Sequence, residues 1–68
     1  MTFYILTKNG KAYRKIHPRL SNMGFKYSVE KLDIGKYIFT ITDPDMDKWK
    51  YLRDMIGNDD YVFNDSQN

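Results

Sequence analysis

The chain predicts an α+β domain whose elements follow the order β-α-β-β-α-β. Three observations carry this reading. Aromatic and β-branched runs occupy residues 2–7, 37–42 and 61–63. A strict polar/apolar alternation runs from Phe25 to Glu30. Two segments, 11–23 and 44–56, place their apolar residues at helical spacing.

Thr2 to Thr7 reads as the first strand. Asn9-Gly10 follows and permits two readings. As a hairpin turn it makes Lys11 to Ile16 a second strand. As a helix start it opens a helix over roughly 11–23, in which Ala12, Tyr13, Ile16, Leu20 and Met23 fall within an arc of about 100°. The strand puts Ala12, Arg14 and Ile16 on one face, a poor alternation, so the helix is favoured. Pro18 opposes it, because a proline inside a helix costs ~3 kcal/mol. On the wheel, however, Pro18 points to solvent, where water satisfies the freed carbonyl and the helix bends around its core. A shorter helix starting at Pro18 is the compromise, and residues 11–16 remain open between helix and strand. Gly24 supplies a left-handed stop, with Phe25 folding back on Leu20.

Phe25, Tyr27 and Val29 alternate with Lys26, Ser28 and Glu30 as a half-buried strand. Asp33-Ile34-Gly35-Lys36 is a tight turn. Tyr37 to Thr42 is the next strand, with Tyr37, Phe39 and Ile41 on one face and Ile38, Thr40 and Thr42 on the other. Asp43-Pro44 opens the second helix, with Pro44 in its first turn. Met46, Trp49, Leu52, Arg53, Met55 and Ile56 form one half of that wheel, and Gly57 ends it. Tyr61 to Phe63 is a short last strand. This order is that of the ferredoxin-like fold: a four-stranded antiparallel sheet with two helices on one face. Residues 1–64 are expected to form the single domain and 65–68 a frayed tail. That architecture hosts many unrelated functions, so the function must come from the surface.

Sixty-eight residues support one core, and a chain of this size buries only about 60% of its unfolded surface. The longest early apolar run, Phe3 to Leu6, is far short of the roughly 20 residues of a membrane helix. There are no cysteines, which excludes disulfides, thiolate metal sites and thiol nucleophiles and fits a reducing cytoplasm. The net charge of +2 is unevenly laid out. Residues 1–29 carry Lys8, Lys11, Arg14, Lys15, Arg19 and Lys26 and no acid, and residues 30–36 balance. Residues 37–68 carry Lys48, Lys50 and Arg53 against seven aspartates.

Catalytic and cofactor constellations are not found. Asp43, Asp45 and Asp47 have the spacing of a calcium loop, but Lys48 stands where that loop needs glycine. Acids at a helix start cap its amides and favour its dipole, which accounts for all three. His17 is the single histidine; no partner for base catalysis stands beside it in sequence, and a packed or solvent-edge role is expected. The four glycines sit singly and form no phosphate-cradling motif. The run Gly35-Lys36-Tyr37-Ile38-Phe39-Thr40-Ile41 resembles the RNA-binding strand of an RRM domain, which stacks bases on its aromatics. Burying Tyr37, Phe39 and Ile41 removes more apolar surface from water, which leaves Lys26, Ser28, Glu30, Ile38, Thr40 and Thr42 on the open face and no stacking platform.

The positive signal is the basic arc of the first helix: Lys11, Arg14, Lys15 and Arg19, with Lys8 and Lys26 near its ends. Such a face suits an acidic partner surface or a phosphate backbone. Exposed Tyr51, with Asp59 and Asp60, forms a second expected contact surface, of the kind found at protein interfaces. The expectation is a non-enzymatic, cofactor-free regulatory or inhibitory binding protein, docking on a protein or nucleic-acid–protein complex. Direct, sequence-tolerant nucleic-acid binding is the alternative. A homodimer, head-to-tail or through an edge strand, is also permitted. The richness in Lys, Asn, Ile, Tyr and Asp points to an AT-rich source such as a phage or mobile element.

Overall fold

The computed structural model describes residues 1–56 and 61–65. It contains β1 (Thr2–Thr7), α1 (Gly10–Asn22), β2 (Tyr27–Asp33), β3 (Lys36–Thr42), α2 (Met46–Ile56) and β4 (Tyr61–Asp65). The sheet order is β2-β3-β1-β4, antiparallel throughout. This is the expected ferredoxin-like arrangement. Gly57, expected to stop α2, lies outside the described residues, as do residues 66–68 of the expected tail; Asp65, expected to begin that tail, is instead the last residue of β4, opposite Phe3.

Asn9-Gly10 starts a helix. Asn9 has extended backbone angles and its side-chain oxygen accepts from the Ala12 N–H at 2.8 Å, an N-cap. The hairpin alternative fails because both neighbours of β1 are strands distant in sequence. Ala12, Ile16 and Leu20 form the buried stripe, and Pro18 sits within the helix on its exposed side. At the other end Gly24 takes φ 78°. The Phe25 N–H donates to the Leu20 carbonyl at 3.1 Å and the Gly24 N–H to Ser21 at 3.1 Å, the double bond of a Schellman motif.

The core lies between the helices and one face of the sheet. Phe3 and Ile5 of β1 and Phe39 and Ile41 of β3 meet Ile16 and Leu20 of α1 and Trp49 and Leu52 of α2. Phe3 stacks on Trp49 at 4.8 Å, and Phe63 meets the same indole edge-on at 5.8 Å. Each such aliphatic or aromatic side chain contributes roughly 1.5–3 kcal/mol by leaving water.

Three local expectations are corrected. β2 is not half-buried: every residue from Ser28 to Asp33 is exposed, because β2 is an outer strand and α1 rests on β1 and β3. Phe25 is buried, but as the partner of Leu20 ahead of the strand. Pro44 precedes the cap of α2 instead of standing in its first turn: the Asp45 carboxylate accepts from the N–H groups of Asp47 (2.9 Å) and Lys48 (3.2 Å). The buried stripe of α2 is also narrower than half a wheel. It holds Trp49, Leu52 and Ile56, while Met46, Arg53 and Met55 are exposed.

Candidate binding surfaces

The helix that carries the basic residues is positioned by its own apolar stripe. With Ala12, Ile16 and Leu20 turned to the sheet, Lys11, Arg14 and Lys15 come out on the opposite side, all exposed. Spacings of three and four residues make them neighbours on one helix face. None of the three has a hydrogen-bond or ion-pair partner among the described residues.

The other three expected cations stand apart. Arg19 is half-buried and turned toward α2, where its guanidinium donates to the Met55 sulfur at 2.9 Å. Lys26 is exposed at the far end of α1, near Asp43, whose carboxyl its charge helps to hold in the ionised form. Lys8 is exposed just after β1 and is engaged in an interaction of its own. Of the expected four-residue arc, Lys11, Arg14 and Lys15 share the exposed face and Arg19 leaves it, while Lys8 and Lys26 flank the helix ends as expected.

The aspartates at the start of α2 divide by role. Asp45 caps the helix and Asp47 lies in its first turn. Asp43 does neither: it takes a positive φ of 46° and pairs with the Met1 ammonium. That ammonium, first by its hydrogen bond and then by its charge, holds the Asp43 carboxyl below the ordinary aspartate range. Among the described residues, no group of three or more His, Cys, Asp or Glu side chains is placed to hold a metal ion.

His17 is packed into an aromatic cluster that the sequence did not announce. Tyr13 stacks on Tyr37 at 3.9 Å and on His17 at 5.4 Å; Tyr27 meets His17 edge-on at 5.6 Å. The Tyr27 hydroxyl lies 3.3 Å from Nε2 of His17. No carboxylate enters these contacts. Helical spacing between Tyr13 and His17 was a sufficient clue to their stacking, but Tyr27 and Tyr37 come from other strands.

The sheet face away from the helices also differs from the expected polar set. Ile38 and Thr40 are there, yet β1 and β4 add Tyr4, Leu6 and Val62. Leu6 is paired directly with both Ile38 and Val62, so an apolar row crosses three strands and, with Tyr4, lines a depression of about 300 Å³. Alternation along β1 contained this signal, since Tyr4 and Leu6 lie out of phase with Phe3, Ile5 and Thr7. Tyr51 is 62% exposed on α2, in keeping with an accessible surface, whereas Asp59 and Asp60 lie outside the described residues.

No family model, no curated protein and no solved structure matches this chain. The class that the fold defines is a small α+β, ferredoxin-like domain, in which no helix of the described residues is long and apolar enough to cross a membrane.

Proposed function

We propose that this chain is a non-catalytic binding module that docks, as a regulator or inhibitor, on a macromolecular partner with an acidic surface. The observation that carries the reading is the patch of Lys11, Arg14 and Lys15: three adjacent, exposed cations with no partner among the described residues. Solvated helix faces ordinarily mix both signs. A basic face accelerates encounter with an acidic surface and rejects basic ones. The work is placed in the cytoplasm, a reading supported by the absence of cysteine.

Direct nucleic-acid binding is the second reading, favoured by the lack of any acid in residues 1–29. It is the weaker one because the helix face gathers three cations, Arg19 having turned toward Met55. Three neutralised phosphates give a salt slope of only about −2.7 on a log–log scale.

The test is a tagged pull-down from host lysate with and without nuclease, at low and moderate salt, using the wild-type chain and the Lys11→Glu/Arg14→Glu/Lys15→Glu variant. A discrete protein that survives nuclease and is lost from the triple variant supports protein docking. Recovery of nucleic acid, or loss on nuclease treatment, moves the second reading to first place. A partner retained by the folded triple variant overturns the basic patch as the docking surface.

A further inference from the structure

β2 is the least covered strand of the sheet. It is an outer strand, and both of its faces are exposed from Ser28 onward. Its backbone is also half unpaired. The Thr42 N–H donates to the Lys26 carbonyl at 2.9 Å, so by strand alternation Lys26, Ser28 and Glu30 aim their backbone groups at β3. Tyr27, Val29 and Lys31 aim theirs outward. Beyond Lys31 a bulge shifts the register, a device that blunts an edge against further pairing. The open edge is thus short and defined.

We propose that this edge pairs with the same edge of a second copy, antiparallel, with the two-fold axis at Ser28. In an antiparallel pair, opposed residues must point to the same face of the sheet, so the axis passes through a residue and not between two. The candidate axes are then few, and charge separates them. An axis at Glu30 opposes Glu30 to itself, and one at Lys31 opposes Lys31 to itself. An axis at Val29 opposes Tyr27 to Lys31 and Ser28 to Glu30, and one at Tyr27 opposes Lys26 to Ser28. Of these axes, the one at Ser28 alone sets Lys26 against Glu30 of the second copy, twice by symmetry. It also sets Tyr27 against Val29 of the second copy, twice, on the helix side. Opposite charges and aromatic–β-branched pairs are the favoured cross-strand partners. Tyr27 and Val29 have outward backbone groups, so each of these pairs exchanges two backbone hydrogen bonds and the sheets become one eight-stranded sheet. The contact is small, which makes the association weak and concentration-dependent. It is independent of the basic patch, so either reading can fail alone.

Sedimentation velocity over a rising concentration series, with amide exchange measured by NMR on the same samples, tests this. The expected result is a monomer–dimer equilibrium in which the Tyr27 and Val29 amides gain protection as the dimer fills. Val29→Pro removes an outward donor that the β3 ladder does not use, and is expected to be a folded monomer. Lys26→Glu is expected to weaken association about tenfold by opposing Glu to Glu. The swap Lys26→Glu/Glu30→Lys is expected to restore it. A chain that stays monomeric at millimolar concentration overturns the proposal. So does a dimer in which Tyr27 and Val29 exchange as in the monomer, or one in which the swap associates no better than Lys26→Glu. Should Val29→Pro fail to fold by circular dichroism, the wild-type exchange data and the charge swap decide.

Discussion

Thr7 and Tyr37 satisfy one another at the end of the β1–β3 ladder. The Tyr37 N–H donates to the Thr7 hydroxyl at 3.1 Å, and that hydroxyl donates to the Tyr37 carbonyl at 3.3 Å. Thr7 is fully buried, the buried polar side chain of the described core. Replacing it with valine keeps the shape and removes both hydroxyl hydrogen bonds. Thr7→Val is therefore expected to cost about 1–3 kcal/mol in urea unfolding, and Thr7→Ser much less. Equal losses for the two would show that packing of the threonine methyl, not the hydroxyl, is what matters.

Gly24 and Gly35 both have positive φ, at 78° and 72°, but their surroundings differ. A Cβ at Gly24 meets nothing within 4 Å, whereas one at Gly35 falls 3.1 Å from the Gly10 nitrogen and 3.3 Å from the Asn9 Cα. Both neighbours are backbone at the start of α1. Gly24→Ala should cost only the left-handed conformation, roughly 1–2 kcal/mol. Gly35→Ala should cost that and more, because the turn must move off the helix end. Thermal melts of the two variants rank them directly.

Pro18 removes the hydrogen bond that residue 18 would make to the Arg14 carbonyl. It is exposed, with no packing role to replace. Pro18→Ala is expected to stabilise the chain by roughly 1–3 kcal/mol, seen as a higher melting temperature and unchanged circular dichroism. A loss of stability would mean that the fixed backbone geometry of Pro18 is needed to seat Ile16 and Leu20.

The Met1–Asp43 pair gives a defined acid response. The carboxyl is lowered chiefly by the hydrogen bond from the ammonium, then by its charge and, more weakly, by Lys26. Ionised Asp43 is thus favoured in the folded chain. Its contribution is present above the ordinary aspartate value of about 3.9 and is lost as pH falls through the lower folded value. An NMR titration should place the Asp43 midpoint below the ordinary value, and acetylation of the terminus should bring it back up. A midpoint already ordinary in the unmodified chain would contradict the pairing.

Much of this architecture was legible in the residues because each element states its own period. The stripe of Ala12, Ile16 and Leu20, the alternation of Phe39 and Ile41, and the stop at Gly24 are local patterns that local physics obeys. The candidate surface was legible only as a set of charges. Lys11, Arg14 and Lys15 share a face because helical spacing puts them there. Arg19 leaves it because its position depends on what packs beside it, the sulfur of Met55 on another helix.

The sequence by itself determined the order of elements, the apolar stripe of each helix and the sign of the first helix face. Tertiary structure alone decided that β2 is an uncovered outer strand and that Tyr4, Leu6, Ile38 and Val62 meet across the open face. The reason is range. Periodicity and capping are settled within a few residues of the chain, whereas burial depends on which strand lies at the edge, and that is fixed by pairings between residues thirty or more positions apart.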